Sequence, residues 1–240
     1  MPENQASSKT AAPASELQRL ELLHREILGC RRCADAGLLQ TCAPVLAAPA
    51  VSRVVLVGQA PGSVEQVSGL PFSGRAGRQL FRWLALAGIG DEESARSTIY
   101  LTSITKCFPG RAPAQGGDRR PSATEVELCS GHLEAQLGIL RPRLILAVGQ
   151  LAITRFLGNR PLSGLIGSVF DMAGREIEPE AGRLLLPGDG ALILPLPHPS
   201  GASRWLNAAD HRQQLEAALS LLRELLRAFR TPLTAGRTCV

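Results

Sequence analysis

The chain has 240 residues, 45% hydrophobic and 20% charged, which excludes a collagen-like, disulfide-stapled or wholly disordered protein and leaves room for one large core. Lys and Arg number 26 against 21 Asp and Glu, a net charge of +5 that permits a polyanionic partner without demanding one. Lys9 and Lys106 are the only lysines and the other 24 cations are Arg; codon bias and selection for phosphate-binding forks both account for that excess.

Residues 1–15 are Ala, Ser, Pro and polar residues without an apolar secretory stretch, so they are expected to form a disordered tail. Leu17, Leu20, Leu23 and Leu28 lie near helical spacing and stop at Gly29, predicting a helix over 17–28. Residues 54–57 are β-branched or Leu and end in Gly58, the pattern of a strand buried on both faces of a parallel sheet. A glycine-punctuated loop over 58–74 leads to a helix over 75–87, with Leu80, Trp83, Leu84 and Ala87 on one face. Residues 99–104 read as a second strand, and 108–122 as a long loop rich in Pro, Gly and Arg.

The periodicity predicts a helix over 124–140 with Thr124 as its cap and Val126, Leu133 and Leu137 facing inward. A third buried strand follows over 144–148, then a helix over 150–157. Residues 158–190 read as an irregular excursion with short strands at 169–172 and 184–186. A fourth strand over 191–196 runs into Pro197-His198-Pro199-Ser200. A helix over 210–229 closes a single domain spanning 16–230, and 231–240 are expected to fray. Strands alternating with helices imply a three-layer α/β/α sandwich on a short, mainly parallel four-stranded sheet. In such folds ligands bind beyond the carboxyl ends of the strands. That rule directs attention to 58–74, 102–107 and 197–207. With no apolar run of membrane length, the chain is expected to be a cytoplasmic monomer with reduced thiols and no membrane contact.

The first junction reads Gly58-Gln59-Ala60-Pro61-Gly62-Ser63-Val64-Glu65, then Gly69-Leu70-Pro71-Phe72-Ser73-Gly74-Arg75-Ala76-Gly77. It matches neither a dinucleotide-binding nor a Walker loop, yet its glycines let backbone N–H groups approach an anion. Phe72 is either core packing or a wall on which a base stacks. Cys30-x-x-Cys33, Cys107 and Cys129 form the second constellation; soft thiolates in that order suit an iron–sulfur cluster or zinc. A redox pair with two unrelated buried cysteines is the alternative, although no strand directly precedes Cys30 as that pattern requires. Cys42 and Cys239 have no assigned partner. The third constellation is His198-Pro199-Ser200-Gly201-Ala202-Ser203-Arg204-Trp205-Leu206-Asn207, a histidine at the ligand-binding edge followed by a Gly/Ser loop.

Taken in order, these motifs resemble the uracil-DNA glycosylase superfamily, and most closely its iron–sulfur branch. That branch carries a Gly-Glu-Ala-Pro-Gly loop, a Gly-x-Pro-Phe-x-Gly-x-Ala-Gly segment, a Lys-Cys turn and a His-Pro-Ser motif. The likeness extends from about Cys30 to Asn207. It implies a [4Fe–4S] cluster on Cys30, Cys33, Cys107 and Cys129, with zinc as runner-up. It also implies that His198 donates to the uracil oxygen as the glycosidic bond breaks, with Phe72 as the stacking wall. Gln59 and Ala60 would contact the base, and Glu65 would orient the attacking water. Its substrate would be DNA containing uracil or an abasic site. Ser200, Arg204 and a wedge from Trp205 or Leu206 would enter the minor groove, while Arg75, Arg119 and Arg120 would meet phosphates. The alternatives are a solvated face for those arginines, packing against the last helix for Trp205 and Leu206, and an exposed loop acid for Glu65.

Two departures bear on the expected activity. Gln59 stands where the branch has Glu, and Ser103 stands where the family has an Asn that pairs with two edges of uracil; a hydroxyl cannot make that bidentate match. The loop between Cys107 and Cys129 resembles an insertion in a branch that traps DNA through a histidine, but no histidine lies in it here. The expected activity is that of a monofunctional uracil-DNA glycosylase of base-excision repair. A lesion- or abasic-site-binding protein with weak turnover, or a glycosylase for another damaged base, are the alternatives.

Overall fold

The computed structural model describes residues 14–112, 117–178, 190–200 and 204–230. Four strands, β1 (Val54–Gly58), β2 (Tyr100–Ser103), β3 (Leu144–Val148) and β4 (Leu192–Leu196), pair in the order β2-β1-β3-β4, every pair parallel. Every residue of all four is buried. This explains why they read as continuous apolar runs rather than alternating ones. Each buried Val, Leu or Ile contributes about 1.5–3 kcal/mol of transfer free energy, so the sheet is the centre of the core.

Around the strands lie α1 (Glu16–Leu28), α2 (Arg32–Asp35), α3 (Ser63–Ser68), α4 (Arg75–Leu86), α5 (Glu92–Thr98), α6 (Ala123–Leu140), α7 (Gln150–Leu157) and α8 (Ala209–Arg230). The chain steps from β1 to β2 in one direction and then back across β1 to β3 and β4. Right-handed crossovers therefore place α4 and α5 on one face and α6 and α7 on the other. α8 packs on α4 and α1 on α6, completing the two outer layers. The reversal lies between β1 and β3, and the crevice at their carboxyl ends is the topological switch point.

Several boundaries differ from the sequence expectation. α6 is capped by Ser122, not Thr124: the Ser122 hydroxyl accepts from the Glu125 N–H and the Glu125 carboxylate accepts from the Ser122 N–H. This is the reciprocal box that Ser-x-x-Glu favours. Ser15 forms the same box with Gln18 at the start of α1. Two isolated bridges through Phe170, to Glu176 and to Ile193, stand where a strand over 169–172 was expected. The expected strand over 184–186 lies outside the described residues, as do residues 1–13 and 231–240 of the predicted tails, Cys239 among them. Among the described residues no helix is long and apolar enough to cross a membrane.

Candidate functional site

The three junctions converge at the switch point on one cavity of about 490 Å³, lined among others by Gln59, Ala60, Phe72, Ser103 and His198. Phe72 adopts a left-handed backbone, φ +57°, uncommon for a bulky residue and found where surroundings over-determine it. Three contacts hold it. Its ring lies on Gly58, where a β-carbon would come within 2.8 Å of Cζ. Its carbonyl occupies the space a side chain at Gly77 would need. The Arg96 guanidinium of α5 donates to the Pro71 and Phe72 carbonyls, at 2.9 and 3.4 Å. The sequence marks the glycines; nothing local marks Arg96.

His198 follows β4 and rests against Gly149, the residue after β3. Its Nδ1 accepts the Ser200 backbone N–H at 3.2 Å and lies 2.8 Å from the Ser200 hydroxyl. An accepting Nδ1 carries no proton, so the neutral ring presents Nε2–H as its donor. Burial, reinforced by the Arg120 charge, holds His198 below its ordinary pKa, and the neutral tautomer dominates near neutrality. Arg120 also donates from Nε to the Gln59 side-chain oxygen at 3.3 Å.

Ser103 ends β2 with its hydroxyl donating to the Thr105 carbonyl at 2.8 Å. The donor is spent internally, and only acceptor lone pairs face the cavity. Behind Ser103 the Lys106 ammonium, fully buried, donates to the Ser103 carbonyl and, at 2.9 Å, to the Thr102 hydroxyl. Thr102 donates to Gln136, Gln136 to the Tyr100 hydroxyl at 2.7 Å, and that hydroxyl lies 2.6 Å from His24 Nε2. A continuous polar chain thus links α1 and α6 to Ser103 at the cavity, a connection invisible in the sequence.

Four candidate site residues are engaged within the protein. Glu65 is neither an exposed acid nor a free one: it is buried, and its two oxygens accept the Gly62 N–H at 3.0 Å and the Gly74 N–H at 2.8 Å. It clamps the two ends of the loop together. Arg119 makes a two-pronged ion pair with Glu125, both contacts 2.7 Å, so its fork is turned inward on the protein. Trp205 stacks on His211 at 4.2 Å between centroids, and both Trp205 and Leu206 pack against the core. Gly201, Ala202 and Ser203 lie outside the described residues, as does the side chain of Arg204, whose backbone opens a 3₁₀ turn (Arg204–Asn207). Arg75, at the start of α4, is exposed and lines the cavity.

A second pocket is lined by Cys30, Cys33, Cys107 and Cys129, and also by Cys42, which the sequence left without a partner. The thiols feel one another. Burial first and then Cys129 and Cys42 push Cys33 up to about 11; burial with Cys42 and Cys129 pushes Cys107 up to about 12. The Lys106 N–H donates to Cys129 Sγ at 3.3 Å. Two further polar atoms of the same pocket, Thr105 Oγ1 and His132 Nε2, are buried without a partner.

An open parallel sheet with a base-sized cavity at its switch point and a thiol pocket behind one wall defines an α/β domain built around one small ligand site. Residues 45–223 match the family model described as the uracil DNA glycosylase superfamily, and the chain belongs to that superfamily. It is 34% identical over 136 residues to a type-4 uracil-DNA glycosylase of Archaeoglobus fulgidus, covering 57% of this chain and 62% of the relative. It is 33% identical over 144 residues to a type-4 enzyme of Pyrobaculum aerophilum, covering 59% and 67%. A type-5 uracil-DNA glycosylase of the latter organism is 33% identical over 136 residues, covering 51% and 57%. The chain thus spans roughly three fifths of the length of the curated relatives it matches.

Proposed function

We propose that the chain is a monofunctional DNA glycosylase of base-excision repair, acting in the cytoplasm as a monomer. It hydrolyses the N-glycosidic bond of uracil in DNA and leaves an abasic site. The observation that carries this reading is the meeting, in one cavity, of an aromatic wall and an imidazole whose free donor is Nε2–H. Cleaving a base from deoxyribose builds negative charge on the base, and a positioned neutral donor at its oxygen stabilises that charge without first losing a proton. Phe72 holds the base plane, while Gln59 and Ala60 contact its edge. Arg75, Arg120 and the loop from Ser200 through Arg204 meet the backbone.

The donor chemistry of the second pocket supports a [4Fe–4S] cluster on Cys30, Cys33, Cys107 and Cys129. Soft thiolates suit it, and Thr105 Oγ1 and His132 Nε2 are unpartnered where sulfides would accept hydrogen bonds. Zinc on the same four thiolates is the second reading. When bound, the cluster would tie the turn after α1 and α2 to α6 and the segment after β2, a structural role.

Incubation with a uracil-containing oligonucleotide followed by hot alkali tests the reading. Strand breaks with wild type, absent with His198→Ala, are expected. No breaks together with tight binding of abasic DNA would establish a lesion-binding protein instead.

A further inference from the structure

The cavity is lined by two acids, Glu65 and Asp118, and the Glu65 oxygens both hold backbone N–H groups. Asp118 comes from the long loop after Cys107. There residue pairs Arg111 with Asp118, Ala112 with Gly117 and Gly110 with Arg119 make an antiparallel ribbon. The ribbon folds back over the first loop, and Asp118 Oδ2 accepts the Ser63 N–H at 3.1 Å. Gly62 makes this approach possible, because a β-carbon there would lie 2.7 Å from both Asp118 Oδ2 and Glu65 Oε2. The arrangement leaves Asp118 exposed, with no protein donor to Oδ1 among the described residues.

Three facts converge. The first-loop position that carries Glu in the branch this chain resembles is the neutral Gln59. Glu65 is spent as a clamp. The remaining carboxylate at the cavity has one oxygen anchored, which fixes its aim, and one oxygen open. We propose that Asp118 is the water-activating carboxylate of the site, supplied by the ribbon in place of an acid on the first loop. This rests on the glycosylase reading above. In the step, the oxygen of a water held by Asp118 bonds to C1′ as the C1′–N bond breaks. The bonding pair leaves on the base nitrogen, and the base oxygen receives the His198 Nε2–H hydrogen bond. The proton of the water passes to the Asp118 carboxylate.

Asp118→Asn separates this role from mere anchoring, because the amide oxygen can still accept the Ser63 N–H but cannot take a proton. With uracil-containing duplex under single-turnover conditions, Asp118→Asn is expected to slow base release by about 10²–10⁴-fold with the duplex dissociation constant within about twofold of wild type. Added formate is expected to restore part of the rate to Asp118→Ala by entering the vacated space. An active wild type with an equally active Asp118→Asn overturns the proposal and leaves the glycosylase reading standing. So does a variant that loses binding in step with rate, which makes Asp118 a pin. A wild type inactive on uracil overturns both.

Discussion

Gly149 and His198 are in direct contact: at φ +82° the glycine leaves room for the imidazole, and a β-carbon there would meet Cδ2 at 3.0 Å. The end of β3 thereby sets the position of a side chain that follows β4. Gly149→Ala is expected to cost about 1–2 kcal/mol from the left-handed backbone alone and to displace the ring from the cavity. Urea denaturation should show the first effect and a single-turnover rate the second. A variant that keeps wild-type turnover would separate the contact from function.

The imidazole also governs the acid limit. Because burial and the Arg120 charge lower its pKa from the ordinary 6.5, the donor stays neutral below that value, and base release should hold until the pH falls through the depressed pKa. Arg120→Ala removes a charge that disfavours imidazolium, so the acid limb should move to higher pH. A pH–rate profile whose limb does not move would rule out Arg120 as the cause.

Arg119 and Glu125 make an ion pair in which the carboxylate side chain is 3% exposed and the guanidinium 30%. Arg119→Ala leaves that carboxylate with only its cap, and a loss of about 2 kcal/mol near neutral pH is expected, between surface and buried pairs. The pair holds the Glu125 pKa below 4.5. Its contribution is therefore complete above that value and drains as pH falls through the lowered folded value. Denaturant melts of wild type and variant should converge in acid.

Ser103 offers acceptors alone, because its proton goes to Thr105. A ring N–H of the base can be met by these acceptors, but a carbonyl oxygen of the base receives no hydrogen bond from this residue. Ser103→Asn supplies both and should raise the preference for uracil over other deaminated bases, read from release rates on matched oligonucleotides. Unchanged ratios would remove Ser103 from base reading.

The thiol pocket gives a colour test. The aerobically handled wild type should be brown and carry about four irons per chain. Cys129→Ala should lose colour and iron together, whereas Cys42→Ala should keep both. A colourless wild type holding zinc would overturn the cluster, and loss of colour in Cys42→Ala would change the ligand set.

The four strands and the longer helices were legible in the sequence because their burial imposes a local pattern on Val, Leu and Ile. α3 and α5 were not: Ser63–Ser68 and Glu92–Thr98 carry few apolar residues, and each buries a single side chain, the acid Glu65 and Ala95 respectively. Ser122 was readable as a cap from Ser-x-x-Glu, and Thr124 competed because it stands next to the apolar run. The site divides the same way. Gly58 ends β1 and His198 follows β4, where position alone gives them meaning, and Phe72 stands out in the glycine-flanked loop before α4. The Arg96 brace, the Asp118 anchor and the place of Cys42 arise from contacts between distant segments, which no spacing encodes.

The polar chain from His24 through Tyr100, Gln136 and Thr102 to Lys106 has a consequence for how this protein can change. Removing the Tyr100 hydroxyl strips a partner from His24 and from Gln136 at once, and each buried group left unpaired costs about 1–3 kcal/mol. Single substitutions along the chain are thus penalised more than coordinated replacement of neighbours by apolar groups of matching shape. Drift at these five positions should come in sets, and a lone change at His24, far along α1, should register at the carbonyl of Ser103.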